Sequence, residues 1–349
     1  KYGDGARHWG PFLKGESRFF QAWNRNKRSI ALDLRSEKGL EIVHKLIAEC
    51  DVLVENFRPG VTRKLNIDYD TAKALNAKII YCSITGFGPK GPLGDRPAYD
   101  PILQSMSGTA IANERYSGKT SIGAVAMSDF GGAMLGSNAV LAALFHRERS
   151  GVGQHVETSL LQAAMTMQSH AFVKAHDVEE QPPFGIFPYR LFETKDGLIF
   201  IAGPTDKFWK ILCDAIGAPD LGTNPKYEGN PDRVTHSEEI IEILQPYFLK
   251  KTTDEWESLL VAEGLPCGPV LTYDEFFDLP QVAEMDMRPT VHHATIGPID
   301  LAGVPVHFSE TPGSVQSAAP TLGQHTNEVL VELGFSADAI EQLKADAII

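Results

Sequence analysis

The sequence predicts an α/β protein: a parallel sheet with helical crossovers, followed by a separate α+β domain. Strand-like and helix-like runs alternate with short loops over residues 29–84, composition breaks near residue 180, and β character returns from Val291 onward. Such alternation implies parallel βαβ units.

Residues 1–11 are rich in Gly, Asp, Arg and His and read as a loop. Phe19 to Trp23 is an aromatic patch. Arg25, Lys27 and Arg28 then precede Ser29-Ile-Ala-Leu-Asp-Leu34, which alternates as a strand should. Those cations fit either a solvated edge or phosphate contacts. Residues 36–49 open with Ser-Glu and carry Leu40, Val43, Leu46 and Ile47 at helical spacing. Residues 51–55 read as a short buried strand that turns at Pro59-Gly60, residues 64–75 as a helix, and residues 78–84 as the next strand. Ligands in open parallel sheets sit beyond the carboxyl ends of the strands. That places Asn56-Phe57-Arg58 and Thr85-Gly86-Phe87-Gly88 on one rim. Neither run contains GxGxxG or a GxxxxGK phosphate loop, so NAD and ATP lack support.

A Gly- and Pro-rich loop over residues 91–98 leads to a short helix at 99–108. Next comes the stretch around which the chain is organised, residues 125–149. Asp129 opens a long small-residue helix with no further charge until Arg147, closed by Arg147, Arg149 and Gly151. Asp129 is either an N-cap or a catalytic acid, and a carboxylate at that end is expected to be held ionised by the helix dipole. A strand at 153–159 and a Met-rich helix at 160–174 follow, with Met165 and Met167 as core filler.

Three prolines between Pro182 and Pro188 mark a domain edge. Beyond them, residues 189–202 form a hairpin around Asp196-Gly197. Residues 206–216, 238–248 and 253–263 carry helical spacing, and 266–271 reads as a strand. The charges of this middle third read as surface charges, and it holds no catalytic constellation. From Val291 the chain is β-like through His307-Phe308 and closes in helices near 320–333 and 336–345, a segment suited to docking on the first domain.

The 349 residues suffice for two domains, and 43% hydrophobic with 22% charged residues is ordinary for a globular protein. A net charge of -13 argues against nucleic-acid or anionic-membrane binding by the whole molecule. Cys50, Cys82, Cys213 and Cys267 lie far apart and form no metal or disulfide pattern, which fits a reducing cytoplasm. No run is long enough to span a bilayer. The chain opens without Met, in a loop, so an upstream segment is an open expectation.

Taken in order, Asn26-Lys-Arg-Ser-Ile-Ala-Leu-Asp-Leu, Glu55-Asn-Phe-Arg-Pro-Gly, Ile80-Tyr-Cys-Ser-Ile-Thr-Gly-Phe-Gly, Pro97-Ala-Tyr-Asp, Ser128-Asp-Phe-Gly-Gly, His146-Arg-Glu-Arg-Ser-Gly-Val-Gly-Gln-His-Val and Leu322-Gly-Gln-His-Thr resemble the family III CoA-transferases. That family includes formyl-CoA:oxalate, carnitine and bile-acid CoA-transferases and the α-methylacyl-CoA racemases. The resemblance implies a large Rossmann-like CoA-binding domain from residues 1–185 and 290–349, a small α+β domain from 186–289, and an interlocked homodimer. It also implies a further strand and helix, with CoA contacts, ahead of the opening loop. A glycine-rich loop that shields the intermediate in the formyl-CoA enzyme corresponds here to the proline-rich residues 181–188, which implies a different loop or substrate.

By resemblance Asp129 is the nucleophile, forming an anhydride and then an aspartyl-CoA thioester. The CoA contacts carry over to Leu32, Asp33, Leu34 and Arg35, to Asn56, Phe57, Arg58 and Lys64, and to Arg96, Pro97, Ala98 and Tyr99. The Gly131-Gly132 backbone is a candidate oxyanion donor from its spacing. Acyl-CoA and a small carboxylic acid are the expected substrates, with no metal and no tightly bound cofactor. Two alternatives stand beside transfer: an α-methylacyl-CoA racemase-like isomerase, and a non-catalytic acyl-CoA-binding protein. The racemases carry His where this chain has Tyr99, and a phenol with an ordinary pKa of about 10 is a poor base near neutrality. Transfer is therefore the preferred reading.

Overall fold

In the computed structural model, which describes residues 2–114, 118–177 and 185–349, the parallel sheet is present and organises the first half of the chain. A two-residue pair, β1 (Phe12–Leu13) and β2 (Glu16–Ser17), leads into helix α1 (Arg18–Trp23). Helix α2 (Glu37–Glu49) starts where Ser36 accepts from the Gly39 N–H. Strand β3 (Val52–Glu55), helices α3 (Val61–Lys64) and α4 (Tyr69–Leu75), and strand β4 (Ile80–Thr85) complete one crossover. The predicted helix over 64–75 is thus two pieces, separated where Asp68 caps α4 through the Thr71 N–H. Helices α5 (Asp100–Met106), α6 (Thr109–Ala112) and α7 (Met127–Ser150), strand β5 (Gln154–Ser159) and helix α8 (Leu160–Met167) follow. The sheet runs β3-β4-β5, all parallel.

Side chains alternate across β4. Tyr81 faces α4, where it packs with Ile47, Ile67 and Ala72. Cys82 and Ile84 face α7, whose Gly136 brings its backbone so close that a β-carbon would lie 2.9 Å from the Ile84 Cδ1. The far end of α7 is closed as the sequence predicts, by Gly151 at φ +72°, a backbone region where glycine carries little steric cost. Arg147 ties that end to the sheet through the Asp51 carboxylate at 2.9 Å.

The described residues form two units, residues 1–173 with 285–349 and residues 174–284. In the second, the predicted hairpin is β6 (Tyr189–Glu193) with β7 (Leu198–Ala202). Helices α9 (Asp206–Ala215), α10 (Pro219–Gly222), α11 (Asn230–Thr235), α12 (Ser237–Phe248) and α13 (Thr253–Ala262) surround it. Strand β8 (Cys267–Pro269) pairs antiparallel with β7, and helices α14 (Tyr273–Phe277) and α15 (Pro280–Glu284) end the unit. Its core centres on Trp209, Phe248 and Trp256. Arg233 corrects the expectation of surface charges only: it is fully buried, pairs with Asp206 at 2.7 Å, and donates to the carbonyls of Phe187, Tyr227 and Glu228. Residues 181–184 of the proline-rich segment lie outside the described residues.

The chain then returns to the first unit as hairpin β9 (Thr290–His293) and β10 (Gly297–Asp300) and helices α16 (Thr326–Glu332) and α17 (Ala337–Ala345). The predicted β character does not reach Phe308, which is exposed and outside any strand. Residues 29–34 likewise form no ladder among the described residues. The Ser29 N–H donates to His325 Nδ1, the Ala31 N–H to the Thr326 hydroxyl, and the Asp33 N–H to the Ile348 carbonyl. The strand pattern is real, but the returning segment takes the hydrogen bonds that a neighbouring strand would take.

Candidate active site

Ala126 stands at the N-cap of helix α7, where its side chain offers no acceptor, and Asp129 is the third residue of the helix. Asp129 is therefore a first-turn residue and not the N-cap. The cap arrives from α5: Asp100 Oδ1 accepts the Ser128 N–H at 2.7 Å, and its other oxygen accepts Gln104 Nε2 at 2.6 Å. Gln104 in turn accepts the Gly123 N–H at 2.9 Å and donates to the Val125 carbonyl at 3.1 Å. Asp100 and Gln104 are both buried.

The helix dipole does not act alone on Asp129, which stays mostly ionised at neutral pH. Asp129 keeps contact with solvent at its surface, yet the protein packed around its carboxylate, followed by the nearby charge of Asp100, pushes its pKa up to about 6. Desolvation and like charge oppose the dipole here, and they win. Asp68, Asp196, Asp300 and Asp346 are shifted the other way, drawn down by donors and cations.

Gly131 and Gly132 are also corrected. They lie past the first turn of α7, where N–H groups belong to the helix ladder rather than to a ligand. Their missing side chains serve packing instead: β-carbons there would lie about 3 Å from Met167 and Ala163, and from Leu160. Met165 and Met167 are not core filler, since both are more than 40% exposed.

The rim predicted beyond β3 and β4 is assembled. Asn56 Nδ2 donates to the Ile84 carbonyl, tying the two strand ends together. Gly86 lies against Ala98, and the Arg96 guanidinium stands over the Phe87 ring at 5.7 Å. Phe87 joins Leu103 and Leu160 in a cluster that also receives Ala98 and Ile102. One cluster thus supports both rim loops and packs beside α8. Arg58, Lys64, Arg96, Pro97 and Tyr99 are exposed.

Leu32 to Arg35 are placed by other partners. Leu32 packs in the cluster of Ile42, Leu330 and Ile340, while Asp33 Oδ1 accepts from the Arg35 N–H. Strand β3 is not buried as expected: Val54 is 59% exposed. The basic loop before residue 29 fits a solvated edge, with Lys27 and Arg28 exposed, and two of its cations are engaged by the chain itself. Arg28 pairs with Glu328 and Glu332 of α16, and Arg25 donates to the Gly303 carbonyl.

A cleft of about 400 Å³ lies on the α4 side of the sheet, lined by Phe57, Arg58, Tyr69, Ser83, His155 and Glu157 among others. Its strand residues point away from α7, so among the expected site residues it includes Phe57 and Arg58 but not Asp129. Within it His155 Nε2 lies 2.9 Å from the Ser83 hydroxyl, and the imidazole stacks on Tyr69. Among the described residues no cluster of His, Cys, Asp or Glu is arranged to hold a metal, and no helix is long and apolar enough to cross a membrane. The four cysteines are free thiols.

Sequence reasoning missed Asp100 and Gln104. Their signal is local: Val125-Ala126-Met127 offers no cap for a long helix, which demands an acceptor from elsewhere, and Asp and Gln four apart share one face of α5.

Relatives resolve the class. Succinyl-CoA:glutarate CoA-transferase of Mus musculus is 34% identical over 99% of this chain and 81% of its own length. Acetyl-CoA:oxalate CoA-transferase of Acetobacter aceti is 34% identical over 82% of this chain and 75% of its own. The crystal structure of a CAIB/BAIF family protein from Brucella suis superposes with a TM-score of 0.80 at 31% identity, covering 95% of this chain and 89% of that one. The family model for CoA-transferase family III matches residues 1–326. The chain belongs to CoA-transferase family III and is an enzyme of the CoA-transferase class.

Proposed function

We propose that the chain moves CoA from an acyl-CoA thioester to a small carboxylic acid with Asp129 as nucleophile. The observation that carries this reading is the place of Asp129, exposed in the first turn of α7 within the span that the family model matches, and its raised proton affinity agrees with it. Among the described carboxylates with a displaced pKa, it is the one pushed upward. A more basic carboxylate is a better nucleophile, and at pH 7 most of it remains ionised.

Each step exchanges one bond for another. An Asp129 oxygen attacks the donor thioester carbon, the C–S bond breaks, and CoA leaves as thiolate, giving a mixed anhydride. The thiolate attacks the Asp129 carbonyl carbon, expelling the donor acid and leaving an aspartyl-CoA thioester. The acceptor carboxylate attacks that carbonyl and releases CoA thiolate. The thiolate then takes the acceptor acyl group, and the Asp129 carboxylate returns. No water and no net proton are consumed, and one hard exchange becomes several easier ones.

The rim cations Arg58, Lys64 and Arg96, with Arg35, suit the phosphates of CoA. Asn56, Phe57, Pro97, Ala98 and Tyr99 complete the contacts on the rim, and Leu32, Asp33 and Leu34 those beside Arg35. The larger unit is read as the CoA-binding domain. The relatives' names suggest small mono- and dicarboxylic acids as the acids exchanged.

A homodimer, interlocked as the family resemblance implies, is part of the proposal. The exposed Phe130, Met134, Leu141 and Phe145 support it, because they form a stripe along α7 that the described residues of one chain leave uncovered. Free thiols support a reducing compartment.

The test is mass spectrometry of the protein incubated with succinyl-CoA, acetyl-CoA and formyl-CoA in turn. A CoA-sized adduct on the peptide containing Asp129 is expected with at least one donor. Turnover with no adduct on that peptide overturns the reading.

A further inference from the structure

We infer that Asp100 is a positioning residue for the transfer reaction: it fixes the first turn of α7 and sets a negative charge against Asp129 that is relieved when Asp129 becomes acylated. This rests on the reading of Asp129 as nucleophile.

A carboxylate that is 3% exposed is costly unless its oxygens are satisfied. Asp100 meets that condition on both sides, taking the Ser128 N–H on one oxygen and Gln104 Nε2 on the other. Gln104 cannot turn its amide over without exchanging its roles, because its oxygen holds the Gly123 N–H while its nitrogen also reaches the Val125 carbonyl. The orientation of the pair is thereby fixed. An asparagine at position 100 would still accept from Ser128, but its amide nitrogen would meet the Gln104 nitrogen, donor against donor. The site demands a carboxylate, whereas a capping role alone is served equally well by Asn or Ser.

The charge does what a neutral cap cannot. The elements packed on α7 bring few other ionisable groups: residues 100–106 of α5 hold only Asp100, with Tyr99 at its head, and residues 160–167 of α8 hold none. Of the strand residues, Tyr81, His155 and Glu157 line the cleft on the other side of the sheet, which leaves the Cys82 thiol, its pKa raised by burial. Asp100 is accordingly the neighbouring charge that raises Asp129. Protonation and acylation both neutralise the Asp129 carboxylate, so an arrangement that favours one favours the other. Repulsion present in the free enzyme disappears in the anhydride and in the aspartyl-CoA thioester, which lowers the cost of reaching both. Asp100 need not touch substrate to do this. Tyr99 is the adjacent residue and is 63% exposed, so one turn of chain carries an expected CoA contact and the buried cap together.

The experiment measures the rate of CoA adduct formation on the Asp129 peptide against pH, with the turnover number and KM for the acyl-CoA, in wild type, Asp100→Asn and Asp100→Glu. Wild type is expected to lose adduct formation on the acid side with a midpoint near 6. In Asp100→Asn that midpoint is expected to fall by about half a unit or more, and turnover by about tenfold, with KM changed less than about twofold. Asp100→Glu keeps the charge but displaces the capping oxygens, so its midpoint is expected to stay near wild type while turnover drops. It also carries the test if Asp100→Asn does not fold. A wild-type midpoint and turnover in either variant overturns this inference and leaves the nucleophile reading standing. Absence of any wild-type adduct during turnover overturns both.

Discussion

Gly86 backs directly onto Ala98: a β-carbon at position 86 would lie 2.3 Å from the Ala98 β-carbon, closer than two carbon atoms can stand. The loop after β4 and the loop carrying Arg96 to Tyr99 therefore meet at the one residue type that allows it. Gly86→Ala is expected to push the Ala98 backbone outward and raise the KM for acyl-CoA by about tenfold, at a stability cost of about 1–3 kcal/mol. Steady-state kinetics beside a thermal melt checks this, and an unchanged KM would show that the second loop does not serve CoA.

Asp129→Asn is expected to reduce transfer by about a thousandfold or more. It also carries a stability signature whose sign follows from the raised pKa. An Asp with a folded-state pKa of about 6 and an unfolded value of roughly 4 binds its proton more tightly when folded. Its contribution to stability is fully present below pH 4 and is lost as pH rises through 6. Asp129→Asn is thus expected to melt above wild type at pH 8, with the difference closing as pH approaches 4. Melts across that range decide it, and an equal offset at every pH would mean that the carboxylate is not perturbed.

Ser128 is fully buried, and its hydroxyl has no hydrogen-bond partner among the described residues. An unsatisfied buried hydroxyl is a cost that alanine removes. Ser128→Ala is expected to be neutral or more stable in a denaturant titration. A loss of transfer in the same variant would assign that hydroxyl to the reaction.

Arg233 is buried and directs its guanidinium to the Phe187, Tyr227 and Glu228 carbonyls and to Asp206. Arg233→Met would strand three carbonyls, and is expected to destabilise residues 174–284 by about 3–5 kcal/mol. Urea unfolding followed by tryptophan fluorescence reads it, because Trp209 and Trp256 both lie in that core.

Leu141→Glu on the exposed stripe of α7 is expected to convert a dimer to a monomer by light scattering. The α7 helix faces its own sheet through glycines, so the substitution leaves the packing within the chain untouched.

Much of the site was legible because Asp129 stands at the head of an uncharged run and Gly151 at its foot. Turn chemistry was equally readable at Ser36 and at the Asp196-Gly197 hairpin. What was not legible depended on partners far away in sequence. Residues 29–34 have a strand's alternation, but which hydrogen bonds they make is decided by residues 323–348. Asp100 carries no role in the sequence until α7 is found to lack a cap of its own. Gly131 and Gly132 suggest close approach correctly, yet the approaching atoms belong to α8 and not to a ligand.

Those distant partners also set an order of assembly. Residues 174–284 are one continuous stretch whose core is complete once Leu265 is made, whereas the Arg28, Ala31 and Asp33 contacts wait for residues 326–348. The first segment of the chain therefore cannot complete its contacts until the last has been made. Pulsed hydrogen exchange during refolding is expected to protect the amides of Ile199 and Ile201 before those of Ala31 and Asp33. Until then the backbone groups of Ser29, Ala31 and Asp33 wait on partners made about 300 residues later.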